Sequence, residues 1–280
     1  MPPAESTPTI WLDLTDLEGW DGPVTGIQRV SVEHLRRFFA TFVADGSSPC
    51  ARGFVFRSGP DRFEPARFEM VDGRPHVVAA DSASVDSVPP SIGRRVLGRA
   101  PALERFVRRA LHGARARRTR TPGLDRAEEP TTPRSPFTPG DTVVVLGGNW
   151  LCAGWAEQVA HVRRSLDIRL VHVVHDLVPC LAPQWAAPGG AALQGPYLRT
   201  VFGVADLVIA DSEHTAHDVD QFVVQERVTR PAGSSTVVVR LATERAVVDG
   251  EPVPPHGVDP DESFVLGVGT LEIRKNHHLL

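Results

Sequence analysis

Apolar and polar positions along this chain follow two rhythms, and each change of rhythm predicts an element. Ile10, Trp11, Leu12 and Leu14 make a short apolar run, a strand candidate, closed by a loop of Gly, Pro and Thr between Gly19 and Gly26. Ile27, Val30, His34/Leu35, Phe38 and Phe42 then recur three or four apart, the stripe of an amphipathic helix of about four turns. Strand, glycine loop and helix are the opening unit of a doubly wound α/β domain. A second strand is expected at Gly53-Phe-Val-Phe56. Residues 57–90 offer only short extended pieces, at 67–71 and 76–79, between turn residues.

From Asp141 the alternation of strand and helix patterns becomes regular. Thr142-Val-Val-Val-Leu146 reads as a strand, ending in Gly147-Gly148-Asn149-Trp150. Trp155, Val159, Val162 and Leu166 mark the next helix stripe. Residues 168–174 are almost uninterrupted apolar, as a parallel strand covered on both faces requires. Tyr197, Val201 and Val204 predict a helix with Pro196 at its first position, where a missing N–H costs nothing. Asp206-Leu-Val-Ile-Ala210 is a further strand, and Ser212 is placed to cap the helix that carries Ala216, Val219 and Val223. A last strand of this unit is expected at 236–240.

Residues 244–262 hold four prolines and several charges, the composition of an interdomain linker. A new strand, Phe264-Val-Leu-Gly-Val268, follows, then Gly269-Thr-Leu-Glu-Ile-Arg-Lys-Asn276 and the first turns of a helix. One strand and one helical turn cannot bury their own apolar faces. The expected organisation is therefore an N-terminal Rossmann-like domain over 1–243, a linker over 244–262, and the truncated start of a second domain over 263–280.

Composition narrows the function classes. With 41% hydrophobic and 23% charged residues, the chain falls among soluble globular proteins. A net charge of −4 gives no general electrostatic case for a nucleic-acid partner. Cys50, Cys152 and Cys180 are widely spaced and form no C-x-x-C pair, so neither a disulfide framework nor a structural zinc site is expected. No apolar run approaches the roughly 20 residues that cross a bilayer, and the first residues lack a signal-peptide pattern. The expected location is the cytoplasm.

Basic charge is concentrated in one stretch. Residues 91–135 hold twelve arginines against four acidic residues. Val96, Leu103, Phe106, Val107 and Leu111 suggest a basic amphipathic helix, whereas 113–139 carry too little apolar surface to offset ordering entropy. The stretch over 91–139 is read either as a solvated insertion or as a surface for anionic membrane lipid or a lipid-phosphate substrate, with peripheral contact at the inner membrane face through 91–120.

Three passages, in order, resemble retaining glycosyltransferases of family 4, which have the GT-B fold. They are Gly22-Pro-Val-Thr-Gly-Ile-Gln-Arg-Val30, then Val174-His-Asp-Leu-Val-Pro179 with Ala205-Asp-Leu-Val-Ile-Ala-Asp-Ser-Glu213 behind it, then Gly267-Val-Gly-Thr-Leu-Glu-Ile-Arg-Lys-Asn276. The resemblance implies transfer of a hexose, with retention, from a nucleotide-sugar donor to a glycan or lipid-linked acceptor, in cell-surface polysaccharide synthesis. It implies no metal or other cofactor. The family's paired-glutamate motif lies beyond residue 280.

Sugar transfer requires a held pyrophosphate, a stabilised leaving charge and a positioned acceptor hydroxyl, mostly through positioning and electrostatics. Arg274 and Lys275 supply a planar fork and a compact charge for phosphate oxygens, and the resemblance assigns them to the donor diphosphate. Lys275, the only lysine in the chain, is the better match to the family motif. Thr270 stands where many relatives have a second arginine. The loop residues Gly22, Thr25, Gly26 and Arg29 either border the cleft beside a helix N-terminus or form only a tight connection. His175, at a strand end, is the expected catalytic residue, by a role carried from the family: contact with the transferred sugar. Asp176 is a candidate to orient that imidazole or to bind acceptor, and Glu213 is a candidate cleft residue. His172 points to the opposite face of the strand from His175 and is expected to be structural.

Asp218-Val-Asp220 and Asp259-Pro-Asp261 match the D-x-D metal pattern of the other large glycosyltransferase fold but lack its strand-end context. Two alternatives remain open on sequence: a non-catalytic binding module of the same fold, or a nucleotide-sugar epimerase of similar architecture. A Rossmann dehydrogenase is disfavoured because Gly22-x-x-x-Gly26 lacks the G-x-G-x-x-G spacing.

Overall fold

Neighbouring residues of the first strand face opposite layers, and that alternation builds the fold. In β1 (Thr9–Asp13), Trp11 enters one apolar cluster and Leu12 the other, as the two-residue period of a strand requires. Phe54 and Val55 divide the same way in β2 (Cys50–Arg57). The computed structural model describes residues 8–20, 26–44, 50–58, 62–71, 74–79, 135–241 and 273–279, with isolated positions at 257, 259, 263, 267 and 269. The further strands are β3 (Arg62–Val71), β4 (Arg74–Ala79), β5 (Thr142–Val145), β6 (Arg169–Val174), β7 (Leu207–Ala210) and β8 (Ser235–Val238).

These form one eight-stranded sheet in the order β4-β3-β2-β1-β5-β6-β7-β8. β1 runs parallel to both β2 and β5, and the parallel run continues through β6, β7 and β8. β2, β3 and β4 are an antiparallel meander at the other edge. The extended pieces expected at 67–71 and 76–79 are the tail of β3 and most of β4. From β1 the chain steps to β2 on one side, and after β4 it returns to β5 on the other. The crevice beyond the C-terminal ends of β1 and β5 is therefore a topological switch point, where open α/β sheets hold their ligands.

Helices cover both faces. α1 (Ile27–Ala44) lays Val32 and Leu35 on Leu12, Leu14, Leu17 and Val55. α2 (Trp155–Ser165), α3 (Gly190–Phe202) and α4 (Glu213–Gln225) enclose the opposite cluster, which contains Trp155, Val159, Val201, Phe202, Val219 and Phe222. Each such side chain contributes about 1.5–3 kcal/mol on full burial. The result is an α/β fold on a mostly parallel sheet.

Two expectations need correction. Pro196 does not open its helix: α3 starts at Gly190 and carries Pro196 inside. The buried Gln194, Tyr197, Leu198 and Val201 fix this helix by packing, which outweighs the lost N–H. The basic insertion also ends earlier than 139. Phe137 is buried, edge-on to Trp11 at 5.5 Å and to Phe54 at 5.1 Å between ring centroids. The Asp141 carboxylate ties this segment to β1, accepting from the N–H groups of Thr9 and Thr138, each at 2.8 Å, and from the Trp11 indole at 2.9 Å. Residues 81–134, with the expected basic helix, lie outside the described residues, as do the linker and the 264–268 strand except at isolated positions. Among the described residues, no helix is long and apolar enough to cross a membrane.

Candidate functional site

β6 delivers His175 one residue past its end, to the C-terminal edge of the sheet. The ring is largely enclosed, with 11% of the side chain exposed, and both of its nitrogens face oxygen. Nε2 lies 3.1 Å from the Leu146 carbonyl at the end of β5. Nδ1 lies 3.4 Å from Oδ2 of Asp211 at the end of β7, long for a hydrogen bond and close for an ion pair. A doubly protonated imidazole can donate to both, whereas a neutral ring can donate to only one. A ligand oxygen that takes a proton from either nitrogen therefore has to displace a protein acceptor.

The carboxylate is itself held. Thr215, in the first turn of α4, puts its hydroxyl 2.9 Å from Asp211 Oδ1 and 3.1 Å from the His175 carbonyl, and can donate to one at a time. The Ser212 hydroxyl oxygen accepts from the Thr215 N–H at 3.1 Å, the capping role expected from sequence. The carboxylate that faces the His175 imidazole is thus Asp211, from the neighbouring strand, and not Asp176. Sequence reasoning missed Asp211 because the pairing of β6 with β7 brings it to His175 across 36 positions of chain.

Asp176 turns the other way. Its Oδ1 accepts from the Val178 N–H at 3.3 Å, and its Oδ2 lies 3.8 Å from Nη1 of Arg274. The Arg-Lys motif near the C-terminus thus reaches the residue next to His175. Lys275 is exposed on the same 3₁₀ turn, Ile273–Lys275. Glu213 is exposed, 3.5 Å from Arg240. Gly26 adopts a left-handed backbone, φ +57°, just before α1, a conformation that suits glycine. Ser31, one turn further on, donates to the same Leu146 carbonyl that faces His175, at 3.3 Å. Arg29 is exposed and makes no ion pair among the described residues. Gly22 and Thr25 lie outside the described residues.

A second group of polar residues, which the sequence reading did not single out, occupies the β1/β5 switch point. Asp13 ends β1 with only 6% exposure. Its carboxyl accepts from the Thr15 N–H at 2.8 Å and from the Asn149 amide at 2.6 Å. Burial pushes its pKa up to about 7, against the lowering effect of those hydrogen bonds, and the Asp16 charge adds to the rise. Asn149 is 1% exposed, and its Oδ1 has no hydrogen-bond partner. Gly147 admits Asp16: a Cβ there would stand 2.8 Å from the Asp16 Cβ. The available signal was an acid closing one apolar strand and a Gly-Gly-Asn run following another.

His172 behaves as a structural residue. It is 1% exposed, its Nε2 lies 2.9 Å from the Tyr197 hydroxyl, and burial, helped by the nearby His175, pushes its pKa down to about 3. Among the described residues, no group of three or more His, Cys, Asp or Glu could hold a metal ion. No protein-family model matches the chain, and no curated protein matches it.

Proposed function

We propose that this chain is the acceptor-side part of a retaining glycosyltransferase of family 4 type with GT-B architecture. In this reading it takes a hexose from a nucleotide-sugar donor to a glycan or lipid-linked acceptor. Cell-surface polysaccharide synthesis, a cytoplasmic location and peripheral contact with anionic lipid through 91–120 belong to the same proposal. Transfer without a metal ion is part of it.

The observation that carries the reading is the 3.8 Å approach of Arg274 to Asp176, beside His175. Two of the three motifs, through Arg274 and through His175 and Asp176, come together at the C-terminal edge of the sheet, where ligands of open α/β folds sit. A diphosphate brings more negative charge and more acceptor oxygens to a guanidinium than one carboxylate does. The imidazole held between Leu146 and Asp211 supplies positive charge, when doubly protonated, close to that diphosphate.

The test is binding. UDP, GDP, dTDP and ADP are titrated calorimetrically into the chain. At least one is expected to bind, and Arg274→Ala and Lys275→Ala each to weaken it roughly tenfold or more, the scale of a hydrogen bond to a charged group. Because Lys275 is the only lysine, reductive 13C-methylation gives one side-chain resonance whose shift reports contact directly. Unchanged affinity in both variants, with a silent Lys275 resonance, removes the transferase reading.

A further inference from the structure

Between Asp176 and Arg199 the chain carries no charge. Residues 177–198 hold no Asp, Glu, Lys, Arg or His, in a sequence whose charged residues amount to 23%. Full burial would account for such a run, but much of it is on the surface. Pro183, Trp185, Ala187, Pro188 and Ala192 are exposed, and Leu181 is half-buried. Trp185 leaves 47% of its area in solvent. One exposed apolar side chain needs no explanation, whereas an apolar surface rimmed by charge marks a contact site. The rim here is Asp176, facing Arg274, at one end and Arg199, paired with Glu226, at the other.

The surface is held in place by hydrogen bonds. Three turns follow one another: the Leu181 N–H donates to the Leu177 carbonyl at 3.0 Å, that of Trp185 to Ala182 at 2.9 Å, and that of Gly190 to Ala187 at 3.0 Å. Gly189, at φ +84°, turns the chain into α3, and Gly190 lets that helix begin against Pro179, where a Cβ would stand 3.2 Å from the Pro179 Cβ. From α3 the Gln194 amide reaches back and donates to the Asp176 carbonyl at 3.3 Å, with the Cys180 Sγ 3.4 Å from its Oε1. The Trp185 turn is thereby fixed to the residue next to His175, and hiding the indole in the core would break these bonds.

Composition selects the partner. Interfaces between proteins favour Arg, Met and aromatic residues and are poor in Ala. This surface has one aromatic among Ala, Pro and Gly, and no charge to match a partner's. Tryptophan is enriched where a bilayer meets water, its ring at the headgroup level and its N–H wet. Among the described residues no helix is long and apolar enough to cross a bilayer, so the contact lies in the interface plane. We propose that the Trp185 turn is an uncharged anchor that inserts into the headgroup layer of a lipid bilayer and sets the His175 edge of the sheet against the membrane surface. This rests on the glycosyl-transfer reading only in what it selects: of a free glycan and a lipid-linked acceptor, an edge held at the membrane favours the second. It differs in kind from the basic stretch over 91–120, which anionic lipid would attract and salt would release.

The experiment is co-sedimentation of the 280-residue chain with phosphatidylcholine vesicles at low and high salt, together with quenching of tryptophan fluorescence by brominated phosphatidylcholine. Binding to this zwitterionic lipid is expected, changing less than about twofold with salt. Trp185→Ala should weaken it about tenfold, and Ala187→Glu at least as much, with thermal unfolding unchanged because both side chains are exposed. Trp185→Phe should keep the binding and lose most of the quenching, since Trp11 and Trp155 are buried and Trp20 and Trp150 half-buried. No binding to phosphatidylcholine, or binding that Trp185→Ala and Ala187→Glu leave unchanged, overturns the proposal. Binding only to anionic vesicles, abolished by salt, also overturns it and assigns the contact to the basic stretch. Self-association that Trp185→Ala abolishes, without lipid binding, makes the patch a protein interface instead. Nucleoside diphosphate titration of the same variants keeps the two readings apart. Affinity at Arg274 and Lys275 is expected to stay unchanged in them, and its absence from the unsubstituted chain removes the transferase reading while leaving the membrane anchor.

Discussion

Two carboxylates end or follow strands at the same C-terminal edge of the sheet, and their surroundings differ. Asp13, at the end of β1, meets a neutral amide, a backbone N–H and a second acid. Asp211, at the end of β7, meets an imidazole and a threonine hydroxyl. The first arrangement favours holding a proton; the second sets a carboxylate 3.4 Å from an imidazole nitrogen. Residue type and strand-end position are alike, so neither decides the role. The nearest partner does, and strand pairing selects that partner.

The largest effect that would sharpen this contrast is in the pH dependence of stability. Asp13 keeps its proton in the folded chain up to about 7, against 3.8 for an ordinary aspartate. Its contribution is therefore complete below about pH 4 and is lost as pH rises through 7. His172 works in the other direction: with a pKa near 3 instead of 6.5, its contribution is present above 6.5 and lost as pH falls toward 3. Asp13→Asn should stabilise the chain at pH 8 by a few kcal/mol, an upper scale from the size of the shift, with the gain shrinking by pH 5. His172→Gln should flatten the acid side. Urea denaturation of both variants at pH 5, 6.5 and 8 reads the two slopes. An Asp13→Asn gain of equal size at pH 5 and pH 8 would mean that the carboxyl is not held neutral by burial, and the contrast with Asp211 would fail.

The opposite end of the comparison is tested by coupling. If Asp211 serves His175, removing one partner removes most of what the other contributes. A double-mutant cycle with His175→Ala and Asp211→Ala is expected to give a coupling of about 1–3 kcal/mol. A value under about 0.5 kcal/mol, the additivity expected of independent sites, would mean that the 3.4 Å approach carries no energetic link. Asp13→Asn combined with His175→Ala should be additive, since the two ends use separate partners.

Much of the architecture was readable because parallel strands advertise themselves. β1, β5, β6 and β7 are short apolar runs bounded by polar residues, and the stripes of α1, α2 and α4 fit a single period. The antiparallel β3 and β4 were harder, since an edge hairpin alternates exposed and covered residues and resembles a loop with extended pieces. Pro196 misled because a proline at a first helical position is the commoner arrangement, and only the buried Gln194 and Tyr197 around it reveal the longer helix. Of the candidate site, His175 was legible from its strand end, and Ser212 from its place before a helix. Asp211, Asp13 and Asn149 were not, since each acquires meaning from a residue on a different strand, 36 to 136 positions away. Local pattern carries elements; pairing order carries sites.

The smallest effect isolates what is purely local. Ser212 caps α4 through the Thr215 N–H, and Glu213 adds an acid in the first turn, where the helix dipole favours it. Ser212→Ala should cost about 1 kcal/mol, a fall in Tm of roughly 2–4 °C for a chain of this size. That cost should be the same at pH 5 and pH 8, because a hydroxyl does not titrate in this range. Thr215 links the cap to the carboxylate: its N–H belongs to Ser212, and its hydroxyl faces Asp211 and the His175 carbonyl. Thr215→Ser preserves both hydrogen bonds and should leave the His175–Asp211 coupling intact, whereas Thr215→Val keeps the cap and should reduce that coupling. If Thr215→Val leaves the coupling unchanged, the hydroxyl plays no part in holding Asp211, and the tip is organised by the two side chains alone.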